Sequence, residues 1–186
     1  HAAIDVAVFP GEDKEYDANF RDTADSPLVR LCDEKGDIVA PGIVDETLSM
    51  LQPHLSAEEL EGAARVRRWD YPEAAIREAL VNAVVHRDYL LSATSVEVSV
   101  YADRMEIVSP GRPPNGINAD RMRAGCRAAR NQLLKDVLRD YGYMEHMGMG
   151  IPRKIFKLMQ EEVGTEPELV IGEETFSLIL RKSNRV

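Results

Sequence analysis

The chain has 186 residues, 44% hydrophobic and 30% charged, which fits one globular domain large enough to enclose a substantial core. Its formal net charge of −9 argues against this segment gripping a nucleic-acid backbone by itself, since that attraction needs lysine and arginine set against phosphates. The sequence has no apolar run long enough to cross a bilayer and no basic-then-apolar leader pattern, so a cytoplasmic location is the expectation. His1 stands where an initiator Met would, which suggests a piece of a longer protein whose other domains contact DNA. The clusters Arg65, Arg67, Arg68 and Arg121, Arg123, Arg127, Arg130 read as solvated faces. Cys32 and Cys126 have no CxxC partner and read as reduced thiols.

In chain order, Ile4, Val6 and Val8 alternate before Pro10-Gly11, which predicts a short strand, and the polar stretch through Asp25 predicts an exposed loop. Val44, Leu48 and Leu51 predict a helix between Gly42 and Pro53. Ser56 with Glu59 resembles a capping box, although Arg65 to Trp69 could equally be extended. The run from Glu73 to about Arg87, with Pro72 where a first-turn proline is tolerated, is the clearest helix. Val96, Val98 and Val100, then Met105 to Val108 across a turn at Ala102-Asp103, predict a hairpin that Ser109-Pro110-Gly111 stops. Pro113, Pro114, Asn115 and Gly116 extend it into a long irregular loop. An amphipathic helix over Leu133 to Tyr141 closes at Gly142. A Gly148-Met149-Gly150 turn leads into a last helix with Ile151, Ile155, Phe156 and Met159 inward, ending near Gly164. Leu169 to Ile171 and Phe176 to Leu180 predict a terminal hairpin.

Projected at 100° per residue, Glu78, Asn82 and His86 form a polar stripe flanked by Ala74, Ala75, Val81 and Val85. A carboxylate and an amide so enclosed need partners, because burying the amide alone costs about 2–7 kcal/mol and an ion more. Either Glu78 pairs with an arginine and Asn82 satisfies loop backbone, or both face a wet cleft. His54, His86 and His146, with Asp88 and Glu145, lack the i, i+4 spacing of a helical zinc motif, and His86-Arg87-Asp88 reads as a helix-end anchor with Asp88 pairing locally. The seven methionines, Met144, Met147, Met149 and Met159 among them, read as packing.

The run Tyr71 to Tyr89, then Glu106 to Gly111, Arg130-Asn131 and Gly148 to Ile151, resembles the GHKL-type ATPase-like domain of RecG-related ATP-dependent DNA helicases and of AlbA/Schlafen-type transcriptional regulators. The resemblance covers residues 70 to 182 strongly and the earlier part loosely. It implies an α/β (α+β) two-layer sandwich of Bergerat type, a mixed or antiparallel sheet with helices on one face and nucleotide between the layers. It further implies that Glu78 positions or deprotonates the attacking water and that Asn82 coordinates Mg²⁺, which suits a cation that takes hard oxygen ligands. Ser109, Gly111, Arg130, Asn131, Gly148 and Gly150 would contact the nucleotide, and residues from about Pro113 to Met147 would form a lid. Residues 1–69 would be a strand, loop and helix region packing on a nucleotide-binding core of residues 70–186.

Adenine-binding members carry Asp-x-Gly where this chain has Ser109-Pro110-Gly111, and a hydroxyl accepts more weakly than a carboxylate. The expectation is therefore an ATP- and Mg-binding module of a multidomain regulator or helicase-related protein, with weak or absent hydrolysis and homo-oligomerisation left open. The alternative is a non-catalytic module that senses a ligand or dimerises and has lost nucleotide binding.

Overall fold

The architecture follows from where the valines point. In β1 (Ile4–Val8) residues Ile4, Val6 and Val8 are buried while Asp5 is exposed, as strand alternation requires. β2 (Phe20–Ala24) runs antiparallel beside it. A small hairpin of β3 (Leu31–Cys32) and β4 (Ile38–Ala40) precedes α1 (Ile43–Leu55). A second hairpin, β5 (Ser56–Glu61) and β6 (Ala64–Trp69), leads to α2 (Glu73–His86). Then come β7 (Val96–Val100), β8 (Arg104–Pro110), a 3-10 turn at Pro114–Gly116, α3 (Ala119–Arg123) and α4 (Gln132–Asp140). A π-type helix, α5 (Gly150–Phe156) continuing into α6 (Met159–Val163), and the pair β9 (Glu168–Ile171) and β10 (Thr175–Arg181) complete the chain. This computed structural model describes residues 2–61, 64–125, 129–144 and 150–183.

The main sheet has six strands in the order β2-β1-β7-β8-β10-β9, with β1 and β7 parallel and every other neighbouring pair antiparallel. Its register stacks the apolar set on one face: Val6 lies beside Val98, Val98 beside Ile107, and Ile107 beside Leu178. That face, all buried, meets α1 through Val44, Leu48 and Leu51, α2 through Ile76, Ala79 and Leu80, and the last helices through Ile155 and Met159. Each such aliphatic side chain contributes about 1.5–3 kcal/mol by leaving water. The opposite face carries Asp5, Thr23 and Glu97 outward. The result is a two-layer α+β sandwich with a mixed sheet, as the sequence predicts.

Several local expectations need correction. The stretch before Asp25 is not all loop, because Phe20 and Ala24 turn inward and β2 takes an outer edge of the sheet. Ser56 ends a helix rather than starting one: its backbone N–H and its hydroxyl, the latter at 2.7 Å, both go to the Gln52 carbonyl, after which the chain extends into β5. α1 also continues past Pro53, with the missing N–H costing one bond near its end. The loop after Pro113 contains the 3-10 turn and α3, the latter capped by the Asn118 side chain accepting from the Arg121 N–H at 2.9 Å. Among the described residues no helix is long and apolar enough to cross a membrane.

Candidate functional site

α2 lies between the sheet on one side and α1 and α5 on others, so it is apolar nearly all round: Ala75, Ile76, Ala79, Leu80, Val81, Ala83, Val84 and Val85 are buried. Glu78 is buried with them, only 6% exposed. Its Oε1 accepts from the Asn82 side-chain amide at 2.9 Å, and its Oε2 lies 3.8 Å from Lys154 Nζ on α5. The Asn82 amide also donates to the Glu78 main-chain carbonyl at 2.7 Å. Both Asn82 amide hydrogens thus go to Glu78, and Asn82 lines a cavity. The cation partner is a lysine, where the sequence left an arginine open, and Asn82 bonds its own helix rather than a loop.

That cavity lies at the seam of α2, β8, α5 and β9, between Asn82, Ser109, Ile151 and Leu169, and has a volume of about 20 Å³. It has room for one water and none for a nucleotide. Ser109, 2% exposed, reaches it from β8, and its hydroxyl donates to the Ala83 carbonyl at 2.8 Å.

The remaining residues singled out in the sequence gather at the carboxyl end of α2. A helix leaves its last carbonyls without intrahelical partners. Here side chains supply the donors: Ser109 to Ala83, Tyr89 to Val84 at 3.1 Å, and Asn131 to both Val85 and Arg87, at 2.8 and 2.7 Å. Asp88 pairs locally, its Oδ1 accepting from the Leu90 N–H at 3.0 Å, and its other oxygen also pairs with the distant Arg130 at 2.7 Å. Its N–H donates to the Pro110 carbonyl at 2.7 Å. Gly111 has φ +102°, and a Cβ there would stand 2.6 Å from Asp88 Cβ, so glycine is what lets the end of β8 approach this corner. By helical rise, Val85 sits about 10 Å along the axis from Glu78. The expected site therefore resolves into two groups, one around Glu78 and Asn82, the other around Asp88, Arg130 and Asn131, with Ser109 between them. Gly150 opens α5, while Gly148, along with Glu145, His146, Met147 and Met149, lies outside the described residues.

Two titrations mark the surroundings. His86 faces the second group, and burial, then the charges of Lys135 and Arg130, push its pKa down to about 4. Asp45 of α1 is pushed up by burial, but bonds from Tyr143 and from Arg77, the latter at 2.8 Å, outweigh this and hold its carboxyl below the usual range. Arg77 thereby ties α2 to α1 next to Glu78. Among the described residues no group of three or more His, Cys, Asp and Glu stands ready to hold a metal ion.

Lys154 is the residue sequence reasoning missed. It lies on the turn that buries Ile155 and packs the partly buried Ile151 against the core, and a lysine bordering such an inward stripe, opposite a helix bearing a buried glutamate, was the available signal.

The site is thus a carboxylate and a carboxamide one turn apart on a helix that covers a mixed sheet, with Asn82 lining a small cavity between the layers. Residues 93–180 match the model of the family described as "Putative ATP-dependent DNA helicase recG C-terminal". The match covers β7 to β10 and begins after α2, so Glu78 and Asn82 precede it. The crystal structure of the DIP2311 protein from Corynebacterium diphtheriae is similar over 97% of this chain, with a TM-score of 0.70 and 22% identity, a likeness of fold. The chain spans 34% of that protein's length. No curated protein matches the chain.

Proposed function

We propose that the chain is the nucleotide-binding module of a larger regulator or helicase-related protein, taking ATP with Mg²⁺ against α2 and hydrolysing it weakly or not at all. The observation that carries this reading is the Glu78–Asn82 pair, with Glu78 buried and Asn82 lining a cavity between the layers. A buried carboxylate is costly enough that a purely structural helix would fill the position with an apolar residue. An amide oxygen is the hard donor Mg²⁺ accepts, and a carboxylate one turn away can reach a metal-proximal water. The HATPase-like match over residues 93–180 supports the same class.

Weak turnover is supported by two engagements. Glu78 is engaged by the Asn82 amide and the Lys154 ammonium, so its carboxylate is not free to take a water's proton. The Ser109 hydroxyl donates to Ala83, so it meets a base only through its lone pairs. Because the cavity holds about one water, nucleotide binding there requires its walls, which include Ile151 and Ile155 of α5, to move apart. With a net charge of −9, DNA contact belongs to other parts of the protein.

Calorimetric titration with MgATP tests the reading: millimolar nucleotide should give Mg-dependent binding that Asn82→Ala weakens. Absence of heat for the wild-type chain would leave the alternative, a ligand-sensing or dimerisation module, which the small cavity favours. Glu78→Gln separates the two further, since any residual turnover should vanish in that variant while the exposed Glu162→Gln retains it.

A further inference from the structure

The chain carries two neighbouring apolar features that stand open to solvent. The first is the hairpin of β3 and β4, whose strands pair only with each other. On it Leu31, Ile38 and Val39 are 45%, 62% and 65% exposed. A two-stranded hairpin with neither face packed is marginal in water. This one is nonetheless well made, since the Asp33 carboxylate accepts from the Lys35 and Asp37 N–H groups at 2.9 Å each and Gly36 closes the turn at φ +88°. The second feature is a groove of about 500 Å³ whose walls include Leu28, Tyr89, Asn131, Leu133 and Leu134, with Leu133 77% exposed. Leu28 in the groove precedes Leu31 on the arm by three residues, at most about 10 Å of chain, so the two lie side by side. Their charges are opposite. The turn of the arm carries Asp33, Glu34 and Asp37 against Lys35 alone. At the groove, the Arg87 guanidinium lies 4.6 Å from the centre of the Tyr89 ring and Lys135 stands next along α4, and neither has a carboxylate partner among the described residues.

We infer that the β3–β4 arm of one copy seats in this groove of a second copy, and reciprocally, in a two-fold dimer. A surface that presents an apolar projection beside an apolar groove of opposite charge is complementary to itself, and two-fold pairing makes each contact twice. Ten arm residues and seven groove residues on each copy fall short of the about 20–30 a side of a standard interface, so the dimer dissociates on the order of tens of micromolar. Neither the arm nor the groove includes Glu78 or Asn82, and the inference stands apart from the nucleotide-binding reading.

The test is sedimentation velocity of the whole chain from about 10 to 500 μM, for wild type, Val39→Asp on the arm, Leu133→Asp in the groove and Val170→Asp on β9 as control. All three side chains are exposed, and an aspartate in the first turn of α4 suits the helix dipole. Losing one apolar side chain from a contact weakens it about tenfold, and each substitution enters a two-fold dimer twice. Val39→Asp and Leu133→Asp should therefore each weaken dimerisation about hundredfold, while Val170→Asp should match wild type. Mixing the first two restores one intact contact, the arm of Leu133→Asp in the groove of Val39→Asp, and should give a hybrid dimer about tenfold weaker than wild type. Recovery in the mixture also shows that both variants are folded. A wild-type chain that stays monomeric at the highest concentration overturns the inference and leaves the groove to a different protein. A dimer that only one of the two variants dissociates overturns it as well, in favour of arm-to-arm or groove-to-groove contact, and so does a mixture without recovery. MgATP binding is read separately by calorimetry, so failure here leaves the nucleotide-binding reading standing.

Discussion

Asn131→Asp exchanges two amide hydrogens for a carboxylate of the same shape at the end of α2. In the wild type those hydrogens go to the Val85 and Arg87 carbonyls at 2.8 and 2.7 Å. Each such bond contributes about 0.5–1.5 kcal/mol net, so Asn131→Ala should destabilise the fold by about 1–3 kcal/mol. The aspartate loses the same bonds and adds a negative charge facing two carbonyl oxygens at the negative end of the helix dipole, worth about 0.3–1 kcal/mol more. Arg130 and Lys135 nearby reduce that excess without reversing it, because Arg130 is already committed to Asp88. Urea unfolding followed by circular dichroism should therefore rank wild type above Asn131→Ala above Asn131→Asp, with midpoints shifted and slopes unchanged. The gap between the two variants should narrow as pH falls through the carboxyl range, where the protonated aspartic acid regains one donor. If Asn131→Asp unfolds within about 0.5 kcal/mol of wild type at neutral pH, the capping account fails.

Gly111→Ala should cost about 1–3 kcal/mol, since it combines a left-handed backbone at φ +102° with a Cβ 2.6 Å from Asp88; unchanged thermal stability would refute it. For His86 the folded pKa, about 4, lies below the unfolded value near 6.5, so between these limits the unfolded state binds more protons. Stability is therefore full above about pH 6.5 and is lost as pH falls towards 4, with a slope of at most about 1.4 kcal/mol per unit from this residue. His86→Gln should remove that slope, and stability curves for variant and wild type that run parallel from pH 4 to 7 would refute it.

What could be read in the sequence is what one physical signal dictates alone. The valines of β7 alternate because one face meets the helices, and α2 carries an unbroken run because it is packed nearly all round. β2 was hidden because an edge strand places only Phe20 and Ala24 inward, too few for a visible period. Ser56 was ambiguous for a chemical reason: a serine hydroxyl bonds backbone at either end of a helix, and only the following extended chain decides which. At the site, Glu78 and Asn82 were legible because helical spacing puts them together by itself. Lys154 was not, since its meeting with Glu78 depends on how two separate helices pack.

The matched span begins at residue 93, yet the helix bearing Glu78 and Asn82 is fixed in place by residues inside that span. Ser109 holds Ala83, Asn131 holds Val85 and Arg87, Arg130 holds Asp88, and the Pro110 carbonyl accepts the Asp88 N–H. All of these act at the carboxyl end of α2, whereas the amino end is tied to α1 through Arg77 and Asp45. The two ends of α2 are therefore held by different parts of the chain, the carboxyl end by β8 and by Arg130 and Asn131, the amino end by α1. β1 adds the same lesson from the sheet, lying parallel beside β7 and closing the core face that β7 presents. A fragment starting at residue 93 would leave β7 with a bare edge and Asn131 with no helix end to bond. The folded unit thus includes the strand and helix that precede the matched span, and the placement of Glu78 and Asn82 depends on residues from both sides of residue 93.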